Sequence, residues 1–468
     1  MSDLPNSSGC SPIRQSSIWV YIFISFFGVI FTLLPAGALI QKFVFAILLL
    51  YGLVQQKSKI YVPKGMKPCF FTLVLLSCYS FLSSYWLHES LVVALLVTQK
   101  YIFLLICFIA ACQICHALGV QRNQIFLQRI VIFLISSQFL FVVVKFLILG
   151  KIDEGFLIGS MNHNAGQLGF LFPALMLPVV FFLFYPKRFL VTVVAVMLLL
   201  VFGVLNEKRS IFYLGVPIIF GCIYALRSNN INLSSVLKSF VILLVALAAL
   251  SFFVDKIGSL SGNEGALAGV SNNQIDYLFS YAIEYLTMDY GGALQGDEKL
   301  AILNKNVQVG RFIVWVMGFD LMVSSDVMNQ LFGYGFGYIT PSEYINDADI
   351  MFAKLGYRGA ISGALEIFIE AGVVGLTLLS FLFLSPFAHL LRKRRAIKKA
   401  ISSDSFEYKI TSLLVIGFLV FVYDFYLYSN ILFSTLPLPL LFFMMLHIIY
   451  APFQRSLNYD KKFRRIEE

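Results

Sequence analysis

The sequence predicts an all-α integral membrane protein of about twelve transmembrane helices, with one large loop on the side of the bilayer away from the cytoplasm. Three observations predict it. Of 468 residues, 59% are hydrophobic and only 13% are charged, more apolar surface than a soluble core needs. Runs long enough to cross about 30 Å of hydrocarbon, which takes roughly 20 apolar residues, recur from Ile18 to Ala451. Basic residues gather in every second loop between those runs.

Windows of about 19 residues place spans near 18–34, 36–54, 69–87, 90–117, 125–149 and 165–185, then near 189–206, 210–226, 236–254, 363–391, 410–428 and 431–452. They must be helices, because unpaired backbone groups are costly in lipid and the runs are too continuous for alternating barrel strands. The first run is a retained span: Leu33, Leu34 and Pro35 lead straight into the second with no small-residue cleavage site. The organisation is an N-terminal bundle of about nine spans (1–254), a large loop (255–361), a C-terminal bundle of about three spans (362–452) and a basic tail (453–468).

Orientation follows from the Lys and Arg residues, which accumulate in short cytoplasmic loops. With the N-terminus inside, the cytoplasmic segments hold Arg14, Lys57, Lys59, Lys64, Lys67, Arg122, Arg129, Lys187, Arg188, Arg227 and Lys238. They continue with the cluster from Arg392 to Lys399, then Lys409 and the tail from Arg455 to Arg465, together 23 of the 35 basic residues. Both termini are therefore expected in the cytoplasm of a bacterium, with the chain in its inner membrane. The net charge of +10 is accounted for by loops that meet an anionic leaflet and calls for no nucleic acid.

The loop 255–361 is net acidic, with 12 acidic and 6 basic residues, and a loop of this length is usually functional. Within it, Arg311 to Ser325 sets Phe312, Trp315, Val316, Phe319, Met322 and Val323 at helical spacing, a face for the membrane surface or for the span bundle. None of the seven Cys residues falls in the loop and the five His residues are scattered, so neither a disulfide nor a metal is expected.

Four short stretches stand out. Ser160-Met161-Asn162-His163-Asn164 precedes the sixth span, and its Asn residues read first as helix caps. Asn206-Glu207-Lys208-Arg209-Ser210 puts two cations on a loop outside the cytoplasm, against the general trend. Either Glu207 pairs with them or they bind diphosphate, for which Arg has a matched donor fork and Lys a compact charge. The third runs from Arg311 through Trp315 to Gly333-Tyr334-Gly335-Phe336-Gly337-Tyr338. As a glycine pattern it lacks the context of a nucleotide fingerprint, but its interleaved aromatics suit a sugar-binding rim. In the fourth, from Ile361 to Gly375, Glu366 and Glu370 share one helix face at the head of the tenth span, where carboxylates must face protein or water. Lys100 and Lys145 are the main cations inside spans, read as snorkelling or lining a cavity.

The order of these parts resembles the O-antigen polymerases and ligases of lipopolysaccharide biosynthesis. The matching pieces are Asn162-His163-Asn164, Lys208-Arg209-Ser210, Arg311 with Trp315, residues 333–338, and residues 365–375. The ligase branch carries a His before Asn, Ser or Gln, then nine residues and Gly-x-x followed by Gly, Thr or Tyr, at the head of the span after the large loop. Ser362, Gly372 and Gly375 fit that spacing, but Ile361 stands at the position of the His, which favours the polymerase branch.

The resemblance implies a cofactor- and metal-independent glycosyltransferase, working on the periplasmic face and moving a chain from undecaprenyl diphosphate onto a carrier-linked oligosaccharide repeat unit. Arg209 and Arg311, assisted by Lys208, would hold the diphosphate. Glu366, then Glu370 or His163, would act as base, and Trp315, Tyr334 and Tyr338 would contact sugar. The implied partners are the undecaprenyl-diphosphate-linked oligosaccharide, the lipid bilayer, a chain-length regulator and a flippase. Two rivals are a ligase acting on lipid A-core and a lipid-linked oligosaccharide transporter; a transporter is expected to show two related halves and charges buried mid-membrane.

Overall fold

The computed structural model describes residues 15–33, 37–55, 62–118, 124–149, 160, 171–185, 188–205, 215, 217–223, 311–339, 361–400, 406–428 and 436–447. Among these residues the regular elements are all helices. They are α1 (Gln15–Phe26), α2 (Gly37–Gln55), α3 (Lys67–His88), α4 (Leu91–Leu118), α5 (Gln124–Leu149), α6 (Phe172–Phe184) and α7 (Phe189–Leu205). After a short helical piece at 217–223 come α8 (Arg311–Val323), α9 (Val327–Phe332), α10 (Gly363–Ala400), α11 (Phe406–Tyr423) and α12 (Pro437–His447). A 3-10 stretch at Gly28–Leu33 continues α1, and a π-helical turn at Asp424–Tyr428 continues α11. The span expected at 236–254 and most of the loop 255–361 lie outside the described residues.

Among the described residues, four helical stretches are long and apolar enough to cross a membrane: Lys67–His88, Leu91–His116, Gln128–Lys145 and Gly363–Ser385. Their surface has the polarity of a membrane protein. On α3 the buried positions are largely small and polar, among them Thr72, Ser77, Ser80 and Ser84, while Phe71, Leu82, Tyr85 and Trp86 are exposed, Trp86 at 88%. Small side chains let backbones approach where lipid supplies no hydrophobic drive between helices. Accordingly α3 packs along α4, and the Ser80 hydroxyl bonds to Thr98 at 3.3 Å. The turn between them is as short as two antiparallel spans allow. Glu89 ends α3 in the left-handed conformation (φ 47°) and donates its N–H to the Tyr85 carbonyl, and Ser90 caps α4 by accepting the Val93 N–H.

Helix α6 is buried almost all round, as a central helix must be, with α5, α7 and α11 packed against it. Helix α10 packs on α3, α8, α9 and the π-helical turn. It is not continuous: at Gly372 the backbone takes φ 63° and ψ −162°, a region open essentially to glycine alone.

A Cβ at Gly372 would lie 2.4 Å from the Leu331 carbonyl, so the break is also where a second backbone passes against α10. Gly372→Ala therefore carries about 1–3 kcal/mol of backbone strain plus a backbone collision. Gly417→Ala, on α11, meets only the flexible end of Met445. The thermal midpoint of purified protein should fall for Gly372→Ala and hold within a few degrees for Gly417→Ala; equal midpoints would mean that the break is not a fixed feature.

Candidate functional site

Breaking a helix at bilayer depth frees backbone carbonyls that lipid cannot satisfy. The segment 333–339 supplies the donors. Tyr334 N–H donates to the Ile369 carbonyl (2.9 Å) and Gly335 N–H to the Glu370 carbonyl (3.0 Å), while the Tyr79 hydroxyl lies within reach of both the Phe332 (2.7 Å) and Ala371 (3.3 Å) carbonyls. Gly333, Gly335 and Gly337 all have positive φ (77°, 97° and 98°), and a Cβ at Gly333 would sit 2.4 Å from the Glu370 and Ala371 backbone. The glycines of this stretch thus serve backbone-on-backbone contact. Phe336 plugs the loop into the bundle: its ring is fully buried, edge-on to Tyr79 and Tyr101 at centroid distances of 5.4 and 5.0 Å. The Phe336 carbonyl accepts from Ser84 (2.9 Å) and lies 3.3 Å from His88 Nε2.

Glu370 joins this loop to a charge centre. Its Oε1 accepts from Gly337 N–H (3.0 Å) and Ile339 N–H (3.3 Å), and its Oε2 lies 3.3 Å from Lys100 Nζ. Lys100 also bonds Glu366 Oε1 at 2.7 Å. Lys100 lies nine residues into α4 and Glu370 seven into α10, or about 10–13 Å from the helix ends at 1.5 Å per residue. Charges at that depth persist only when paired. The Lys100 and Glu366 side chains keep 17% and 8% exposure and Glu370 none, so whatever reaches the centre meets the first two.

The two carboxylates thus share the Lys100 ammonium. Tyr101 closes one side, with Lys100 Nζ 5.2 Å from its ring centroid. Tyr334 and Tyr338, both half-buried, stack on each other at 4.7 Å within the loop that Glu370 holds. Trp315, on α8, is half-buried between the main core and a smaller apolar cluster that includes Val314, Ile339, Leu365 and Ile369. Ile361, at the position where the ligase branch carries its His, is buried in the same cluster.

Glu366, Glu370, Tyr334 and Tyr338 are thus brought together, with Trp315 packed nearby. Arg311 begins α8, its side chain outside the described residues; His163, Lys208 and Arg209 lie outside them altogether. Of the polar cluster 160–164 only Ser160 is described, buried and bonded to Gln138 and the Phe26 carbonyl. Sequence reasoning did not place Lys100 in the site. The available signal was charge pairing, since an intramembrane Lys needs an acid and Glu366 and Glu370 are acids on one face of another span. Lys145 is half-buried on α5. Among the described residues no three His, Cys, Asp or Glu side chains gather as a metal would require. No protein-family model and no curated protein matches this sequence.

Lys100→Met would remove the ammonium that two buried carboxylates share, a loss on the order of 3–5 kcal/mol for a broken buried pair. Adding Glu366→Gln and Glu370→Gln should recover part of it, because Gln at 370 still accepts from the Gly337 and Ile339 amides. Thermal unfolding in detergent checks this; a Lys100→Met variant as stable as the parent would contradict the pairing.

Proposed function

We propose that the chain is a polymerase of the O-antigen type: a glycosyltransferase that joins undecaprenyl-diphosphate-linked repeat units at the periplasmic face of a bacterial inner membrane. In this reading it has twelve spans, both termini in the cytoplasm, and residues 255–361 as a periplasmic loop. The observation that carries the reading is the Lys100, Glu366 and Glu370 centre at a helix break, braced by a glycine–aromatic loop, in which the Glu366 carboxylate keeps some exposure. Such a centre can take up the proton that a sugar hydroxyl must lose. The order of the sequence motifs from 162 to 375 supports the same reading.

The acceptor hydroxyl oxygen attacks the anomeric carbon of the donor, and its proton passes to Glu366, the carboxylate that retains exposure. The bond from that carbon to the diphosphate oxygen breaks, and undecaprenyl diphosphate leaves with the electron pair. Arg209, Arg311 and Lys208 stabilise the charge that grows on the leaving group. Glu370, bonded at both oxygens, positions the loop rather than moving a proton, and Trp315, Tyr334 and Tyr338 contact sugar. No cofactor enters. The repeat unit would come from a flippase, and a chain-length regulator would act on the product.

A lipid-linked oligosaccharide transporter is the second reading, favoured by a broken helix that carries charges at bilayer depth. A ligase is disfavoured because an apolar cluster encloses Ile361 where that chemistry needs His.

Deletion followed by complementation with Glu366→Gln separates these readings. A polymerase null leaves lipopolysaccharide core with one repeat unit; a ligase null leaves bare core and carrier-linked polymer; a transporter null leaves repeat units on the cytoplasmic leaflet. Glu366→Gln keeps the size and the acceptor oxygen but removes the base, worth about 10²–10⁴ in rate. It should express normally and give the one-repeat phenotype. Long polymer from this variant would remove Glu366 from the mechanism.

A further inference from the structure

Helices α8 and α9 are too short to span a bilayer, at 13 and 6 residues. One face of α8 is committed to α10: Val314 and Met322 are buried, and a Cβ at Gly318 would meet Leu365 at 2.6 Å and Ile369 at 3.2 Å. The other face is open and largely apolar, with Asp320 also exposed on it. Val316, Phe319 and Val323 on α8, and Val327, Met328 and Leu331 on α9, are exposed by 37–66%. From residue 312 to 332 the only charged residues are Asp320 and Asp326, and Asp326 is occupied in capping α9 through the Asn329 N–H at 2.7 Å.

Two helices independently give the depth of this face. The Phe332 carbonyl accepts from Tyr79, nine residues before the end of α3, and the Leu331 backbone lies against Gly372, nine residues after the start of α10. Both counts put the end of α9 about 13 Å inside the bundle, at 1.5 Å per residue, against a hydrocarbon thickness of about 30 Å. Gly335 then packs on Leu87, beside Tyr85 and Trp86 on the exposed side of α3. The open face of α8 and α9 is therefore continuous with the surface of a spanning helix and lies at hydrocarbon depth.

We infer that residues 311–339 form a re-entrant membrane element, whose outward face, with Phe319 and Met328 at its centre, is covered by phospholipid acyl chains. The inward face holds the loop that caps the α10 break. Non-helical backbone at membrane depth is tolerated when protein satisfies it, and the bonds from Tyr334 and Gly335 to α10 do so. This inference is independent of the reaction proposed above.

Photo-crosslinking tests it in the full-length protein reconstituted in phosphatidylcholine vesicles. Benzoylphenylalanine is placed singly at Phe319, at Met328, at Trp86 as a lipid-facing reference and at Val314 as a buried one. All but Val314 are exposed side chains, although Phe319 also stacks on Phe368 at 6.2 Å, and either Phe319 or Met328 suffices if the other accumulates poorly. After irradiation, intact-mass spectrometry should show one added phospholipid at Phe319 and Met328, as at Trp86, and none at Val314. Phospholipid adducts at Trp86 but at neither Phe319 nor Met328 would overturn the inference. Adducts from those two sites to a second copy of the chain would overturn it as well, by making the face a protein interface.

Discussion

Glu370 is the group on which the local structure turns, because it has to be satisfied from three directions at once. Its side chain is buried at a depth where an unpaired carboxylate is not tolerated. One oxygen reaches the Lys100 ammonium and the other collects two backbone amides from the loop at 337–339. Its own carbonyl, freed by the break two residues on, takes a third amide from Gly335. A single residue therefore fixes the spacing between α4, α10 and the loop, and each of those contacts depends on the others being made.

The glycines follow from that requirement. Gly333 and Gly372 face each other at distances where neither admits a Cβ, and both sit in backbone regions that side chains avoid. The loop is thereby pressed onto the break, where its amides replace the helical donors that α10 gives up. The small polar face of α3 lets the Tyr79 and Ser84 hydroxyls reach the same loop. These bonds share the same short loop, so each supports the others and the assembly is cooperative rather than a sum of separate bonds.

Much of the helical layout was legible in the sequence because lipid enforces it. The runs at 36–54, 90–117 and 125–149 appear as α2, α4 and α5 within a few residues, since a spanning segment must satisfy its own backbone. The run at 363–391 appears as α10, but its break was not legible: glycine is common in membrane helices, and nothing local distinguishes Gly372 from Gly375. Residues 333–338 looked weak as a motif for a related reason, because their partner lies some 35 residues away on another helix. Glu366 and Glu370 were visible as a pair, and Lys100 as an isolated anomaly; only packing α4 beside α10 joins them. On α8, Val314 and Met322 pack toward α10 while Val316, Phe319 and Val323 are exposed, a division that periodicity alone cannot assign.

The central claim is that residues 333–339, although not helical, are held as firmly as a helix by α10. Hydrogen exchange of the full-length protein in detergent, followed by mass spectrometry, measures this directly. The amides of Tyr334, Gly335, Gly337 and Ile339 should exchange slowly in the native protein, and those of Gly337 and Ile339 should become fast in Glu370→Ala while α6 stays protected. Fast exchange across 333–339 in the native protein would contradict the account.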